Sequence, residues 1–191
     1  LKHNDIDLIK FLENDILKKS ILFACLGISQ SYNKLASMYF DGSFGVAKNT
    51  LKAIHFLQLS AIQNDIDSQI ALGDIYLRGE YNSSDIDKSI YYYTLAAKQN
   101  SARAQFSLGL IYMNESLQRC NIKKGLYYLS LAAEQNHSDA QITIGTYNII
   151  HKNKKSDYEK GKYFIVRSAA QNNKFAQFTL GMLYSKEDDI I

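Results

Sequence analysis

The chain has 191 residues, 46% of them hydrophobic and 12% aromatic, with no proline, so it can bury a large core and its helices can run to their caps. Its 22 basic and 19 acidic residues leave a net charge of +3, too balanced for a phosphate-tracking surface, so no nucleic-acid partner is expected. The longest apolar run, Ile21 to Ile28, falls far short of the ~20 residues of a membrane span and follows no leader pattern. The chain opens on Leu1, and the sequence leaves the location open between cytoplasmic and, with a leader removed, secreted or translocated.

In chain order, residues 5 to 27 predict one or two helices. Ala24, Ser31 and Leu35 align with Ala97, Ala104 and Leu108, so this segment ends in a partial repeat. Residues 1–30 therefore read as an N-terminal helical region, and residues 31–191 as a repeat array of about four full units and a terminal half unit. Gly73, Gly109, Gly145 and Gly181 stand 36 residues apart, as do Gln69, Gln105, Gln141 and Gln177, and Lys52, Lys88, Lys124 and Lys160. The aromatics Phe56, Tyr92, Tyr128 and Phe164 keep the same interval, so the period covers whole structural units. The first unit departs from it, with Ala36 in the glycine position and one extra residue near Ser43 and Phe44.

The unit from Asp67 to Asn100 gives the local pattern. Ser68, Leu72, Ile75 and Tyr76 form one buried helical stripe, helix A, and Gly73 beside it leaves room for another backbone. Gly79 suits a left-handed helix end, and Asp85 caps the helix B that follows. Helix B is expected to bury Tyr92, Leu95 and Ala96 and to end in Gln99-Asn100, the asparagine turning the chain with positive φ. Asn49, Asp85, Asn121 and Asp157 are the predicted caps, and Asn64, Asn100, Asn136 and Asn172 the predicted left-handed residues. Helix A is placed near 31–41, 67–78, 102–113, 138–151 and 174–185, and helix B near 49–63, 85–99, 121–135 and 157–172. Loops 114–120 and 152–156 lack the loop glycine and are expected to be the more variable ones.

This is an all-α solenoid of helix pairs, in which each unit touches only its neighbours. Cys25 and Cys120, more than two units apart, are expected to be free thiols. A lone helix A at 174–185 suggests a truncated array or a capping contact.

The segment LASMYFDGSFGVAKNTLKA, residues 35–53, and its relatives at 72–89 and 108–125 closely resemble the Sel-like repeat, a cousin of the tetratricopeptide repeat. The features that carry the resemblance, over residues 31–185, are the LGxxY core, the Gly45-Val46 loop, the Asp or Asn cap, the Lys-small pair, the helix B aromatic and the paired alanines. The resemblance implies a right-handed α/α superhelix of antiparallel helix pairs with the A helices on its concave side, and a role as scaffold or adaptor. The chain lacks the paired cysteines of the family's cysteine-rich branch, so neither that branch's disulfides nor its β-lactam binding is carried over.

No catalytic pattern stands out. The four histidines show no metal-ligand spacing, Gly42 to Lys48 lacks the glycine-lysine junction of a phosphate loop, and no serine sits in a nucleophile elbow. No cofactor and no metal are expected, and the chain reads as a non-enzyme. The recurring lysines oppose the helix dipole, and a contact to a loop carbonyl or carboxylate is the expected compensation. Positions on helix A that point away from the Leu/Tyr stripe nominate a partner-binding face: Asp74, Arg78, Phe106, Leu110, Met113, Ile142, Thr146, Phe178 and Met182. Ile70, Leu77, Asn114, Ile149, Ile150 and Lys186 share that face, and the column of Ile70, Phe106, Ile142 and Phe178 also suits packing between A helices. The expected function is a protein-protein interaction scaffold that holds a peptide or folded protein in its concave groove. A dedicated regulator of one protein, such as an effector modulator or toxin-immunity protein, is the runner-up; a modular RNA binder and a peptidoglycan-related hydrolase are remote alternatives.

Overall fold

The structure, a computed structural model, describes residues 15–80, 83–151 and 154–188. Among them the chain is all helix and turn, with no strand. The helical residues 15–25 form α1, followed by α2 (Ser29–Asp41), α3 (Thr50–Ile62), α4 (Ile66–Arg78), α5 (Ile86–Lys98) and α6 (Ala102–Met113). The remaining helices are α7 (Ile122–Glu134), α8 (Ser138–Ile150), α9 (Lys155–Ala170) and α10 (Lys174–Asp188). Even-numbered helices from α2 onward are the A helices and odd-numbered ones from α3 the B helices, packed as antiparallel pairs of the α-solenoid class. Predicted residues 5–14 and Lys152–Asn153 of the last loop lie outside the described residues. The chain divides into two compact units, Leu1–Gln99 and Asn100–Ile191.

The pairs are set by caps that repeat. Asn49, Asp85 and Asn121 each accept the backbone N–H three residues on at 3.0 Å, while their own N–H groups donate to the carbonyls of Tyr39, Tyr76 and Tyr112 at 2.7, 2.8 and 2.7 Å. Each cap thus begins helix B and ties it to the last turn of helix A. The fourth predicted cap is a correction. Helix α9 starts earlier, with Lys154 as N-cap, and Asp157 is its third residue, whose carboxylate takes the Lys154 N–H at 3.1 Å. An acidic side chain in the first turn satisfies the free N–H groups from inside the helix instead of from its cap.

Between helix B and the next helix A the chain turns in two residues. Asn64, Asn100, Asn136 and Asn172 have φ of 63, 64, 64 and 63°, as expected from their recurrence. The next residue caps the following A helix: Asp65, Ser101, His137 and Asn173 accept N–H groups at 2.7, 3.4, 3.3 and 3.1 Å. The extra residue of the first unit is absorbed where Gly42, Phe44 and Gly45 all have positive φ.

The first unit builds its core from Ala36, Ala53, Leu57, Leu72 and Ile75, with a second cluster in which Ala24 of α1 meets Leu35 and Met38 of α2. In the second unit, clusters form around Leu129, Ala132 and Ile144 and around Ile165, Ala169 and Ala176, and α6 also buries Ala104, Leu108, Ile111 and Tyr112. Within helix B the fully buried aromatic is Tyr93, 1% exposed, while Tyr92 and Leu95 are half-buried. The stripe that meets helix A runs Ser89, Tyr93, Ala96, and Tyr92 stacks beside it on Tyr76 at 5.7 Å. Gly109 and Gly145 mark the close contacts. A Cβ at 109 would lie 2.6 Å from Leu129 Cγ, and one at 145 would lie 2.9 Å from the Gly161 carbonyl.

Candidate partner-binding surface

The recurring glutamines belong to the frame. Gln69, Gln105 and Gln141 are buried. Gln69 and Gln141 donate to the carbonyls of Ala61 and Ala133 at 3.1 and 3.0 Å, at the end of the preceding B helix. Their Oε1 atoms accept from Gln99 and Gln171 at 2.9 and 2.8 Å, and Gln105 accepts from Gln135 at 2.7 Å. Gln69 and Gln141 therefore each join three helices through a satisfied buried network, while Gln105 donates to Asn100 Oδ1 at 3.2 Å. The 36-residue recurrence was the only sequence signal for this role, since a buried amide leaves no periodicity of hydrophobicity.

The recurring lysines have a different partner from the one predicted. Lys52, Lys88 and Lys124 place their ammonium groups over the rings of Tyr39, Tyr76 and Tyr112, at 5.3, 5.1 and 4.2 Å from the centroids. Lys124 also donates to the Tyr112 hydroxyl at 2.7 Å. Lys88 reaches the expected carboxylate as well, Asp85 at 3.0 Å; the Lys88 backbone N–H first and then this pairing lower the Asp85 pKa, and the pairing raises that of Lys88. A cation on a π face at the helix A end offsets the unfavourable first-turn position. The fourth unit has Asn148 where the tyrosine would be, so Lys160 lacks the tyrosine that its column partners cover.

What remains for a partner is the A-helix face. In the first unit α2 and α4 flank a cleft of about 460 Å³ lined by Asn33, Ser37, Phe40, Asp41, Leu57 and Asp67, among others. Asn33, Ser37, Phe40 and Asp41 precede Ile70, Asp74, Leu77 and Arg78 by 37 residues, the spacing of this unit. They occupy the nominated face one repeat earlier, and carrying that face back into the first unit would have found them. Phe40 is half-buried, Asp41 and Asp67 are exposed, and neither carboxylate has a cationic partner among the described residues. A second cleft, about 210 Å³, lies on the B-helix side of the same unit beside Ile62, Tyr91 and Leu95.

The nominated residues divide by contact. Asp74 accepts the buried Tyr93 hydroxyl and is half-buried, and Arg78 pairs with Glu80 at 3.1 Å on the surface. Phe106 stacks on His137 at 4.7 Å, and Ile142 packs against the Ile165 cluster, as the packing alternative for their column required. Met113 is a correction. It is half-buried against the Leu129 cluster, its Cγ only 2.5 Å from where a Cβ on Gly125 would stand, so it fills the space that glycine leaves. Thr146 is half-buried and donates back to Ile142 at 2.9 Å. Leu110, Phe178 and Met182 are exposed, at 44%, 69% and 49%. Ile70 is buried, Asn114 and Ile150 are exposed, and the Lys186 side chain lies outside the described residues.

His137 caps α8 through Nδ1, and burial holds its pKa below the ordinary value of 6.5. Cys25 and Cys120 are free and exposed. Among the described residues no cluster of His, Cys, Asp and Glu could hold a metal ion, and no helix is long and apolar enough to cross a membrane.

A profile of the Sel1 repeat matches residues 29–65, 66–101 and 102–137. No curated protein matches the chain at a significant level. Among solved structures, a protective antigen of uropathogenic Escherichia coli with an SLR fold aligns at 25% identity and TM-score 0.75, over 88% of this chain and 36% of the antigen. A Sel1 repeat protein from Oxalobacter formigenes aligns at 26% identity and TM-score 0.73, over 84% of this chain and 64% of that one. A sel1 repeat protein from Klebsiella pneumoniae subsp. pneumoniae shares the fold at 18% identity and TM-score 0.54, over 89% of this chain and 81% of its own. The chain thus spans about a third of the length of the first and just under two thirds of the second.

Proposed function

Since the chain belongs to the Sel1 repeat family, a fold commonly used for protein-protein interaction, we propose that it is a non-catalytic scaffold whose A-helix face binds a peptide or folded protein. The observation that carries this reading is the cleft of the first unit, which combines a half-buried ring, Phe40, with two carboxylates unmatched by any cation of the described chain. A partner segment with an apolar side chain flanked by Lys or Arg complements it in shape and charge. In the second unit Leu110 supports an A-helix face of its own, because its apolar side chain is 44% exposed and is not held by the repeat.

The test begins with affinity capture from the source organism and mass-spectrometric identification of the partner. Asp41→Lys with Asp67→Lys should then weaken the identified complex by ~2 kcal/mol or more, as should Leu110→Ser, with melting nearly unchanged. Leu108→Ser, in the buried stripe, should instead unfold the chain. Normal binding by both surface variants would rule the A-helix face out.

A further inference from the structure

The cleft on the B-helix side of the first unit is not a gap left by a missing helix. It lies between α3 and α5, each packed on its own A helix, α2 and α4, and is lined by Gln58, Ala61, Ile62, Tyr91, Tyr92 and Leu95. Ile62 is 78% exposed and Tyr91 59%. Ile62 gives way to Lys98, Glu134 and Ala170 at intervals of 36 residues, so its apolar side chain is no requirement of the repeat.

The corresponding positions of the second unit, 72 residues on, show what such a place holds. There Arg167 stands in the position of Leu95, and Tyr163 and Asn136 in those of Tyr91 and Asn64. The Arg167 guanidinium lies 5.5 Å from the Tyr163 ring centroid, donates to the Tyr163 hydroxyl at 3.2 Å and donates to Asn136 Oδ1. A planar cation is held there by a π face and two oxygens. The first unit keeps these groups and lacks the cation. Tyr91 meets Tyr92 edge-on at 5.1 Å as Tyr163 meets Phe164 at 5.5 Å, and Asn64 has a φ of 63° against 64° for Asn136. Neither the Tyr91 hydroxyl nor Asn64 Oδ1 has a hydrogen-bond donor among the described residues. We propose that this cleft reads an arginine of a partner protein. The guanidinium stacks on Tyr91 and bridges its hydroxyl and Asn64, while an aliphatic neighbour of that arginine packs on Ile62 and Leu95. All four arginines of the chain itself already have interactions, so a second copy has none to offer. Lysine, a point charge with no planar face, cannot make the same contacts. The surface is separate from the cleft between α2 and α4 and does not rest on the A-helix face.

The probe is the acetylated and amidated tripeptide Leu-Arg-Leu, titrated into the isotope-labelled full chain and followed by backbone amide chemical shifts. Saturable shifts are expected, concentrated on residues 58–64 and 91–95. The same peptide with lysine in place of arginine should bind about threefold more weakly or worse, and one with leucine there should lose the shifts. Tyr91→Ala should weaken the arginine peptide by about threefold or more. Its ring is exposed, so the melting temperature should hold, which separates a lost contact from misfolding. Leu95→Arg supplies the guanidinium from within the chain, as Arg167 does, and should abolish the shifts. Absence of saturable shifts at these residues, equal binding of the lysine or leucine peptide, or undiminished binding by Tyr91→Ala overturns the proposal. Shifts of the same residues that grow with protein concentration before any peptide is added would assign the cleft to a second copy of the chain and overturn it as well.

Discussion

Helices α6 and α10 share the motif Leu-Gly-x-aliphatic-Tyr at the same repeat position, yet one lies beneath a partner helix and the other faces solvent. In α6 the glycine backbone is covered by Leu129, and Tyr112 is clasped by Lys124 and stacked on Tyr128 at 6.0 Å. In α10 a Cβ on the glycine would meet nothing within 4 Å among the described residues, and Tyr184, 46% exposed, has the Lys162 ammonium of the preceding B helix 4.5 Å over its ring. The sequence pattern of an A helix is therefore a specification for its B helix. Among the described residues no helix lies against Gly181.

Removing the cover should cost most. Leu129→Ala should destabilise the chain by ~2 to 5 kcal/mol in urea unfolding, whereas Phe178→Ser on α10, 69% exposed, should change stability by less than about 0.5 kcal/mol. A Gly109→Ala/Leu129→Ala double variant should be less destabilised than the sum of the single changes, since the new methyl group occupies space that the leucine vacates. Additive losses would mean that the two residues do not share one contact.

The turn that delivers the cover should be next. Asn136→Gly should cost only a few tenths of a kcal/mol and Asn136→Val ~1 to 2 kcal/mol, because a β-branched residue resists the φ of 64°. Equal stabilities would sink that account of the asparagine column.

The lysine clasp should be smaller. Lys124→Met should cost ~0.5 to 1 kcal/mol through its ring contact and hydroxyl bond, and Lys160→Met, in the unit with Asn148, close to nothing. Equal effects would leave the recurring lysines unexplained by the tyrosine column.

The smallest effect is one of pH. Burial lowers the His137 pKa in the folded chain, so as pH falls below about 6.5 the unfolded state takes up the proton first and stability declines. A proton on Nδ1 would also remove the acceptor that caps α8. His137→Asn keeps a cap and should flatten the pH dependence of melting between about pH 7 and 5, and an unchanged slope would place the titrating group elsewhere.

The sequence made the frame legible wherever a residue recurs. The 36-residue columns located nearly every helix within a few residues, the left-handed asparagines and the glycines under B helices. It misassigned Met113, because a helix position that varies between units looks like a binding residue even when it fills the gap opposite one particular glycine, Gly125. It placed burial on Tyr92 instead of Tyr93, since both rings lie within one turn of the stripe and only the contact with Gly73 separates them. The cleft of the first unit was passed over because its residues sit at an interval of 37 and break the column. Periodicity reports what every unit must have in common, and partner specificity resides in what the units do not share.

The most direct test of the central claim, that period-held glycines lie where a B helix packs, compares Gly109→Ala with Gly181→Ala, which has no such neighbour among the described residues, by thermal melting. Alanine relieves the helix penalty by ~0.5 to 1 kcal/mol at both positions, but at 109 its Cβ collides with Leu129 at a cost of ~1 to 3 kcal/mol. The account predicts opposite signs: a lower melting temperature for Gly109→Ala and a higher one for Gly181→Ala. Shifts of the same sign in the two variants would contradict it.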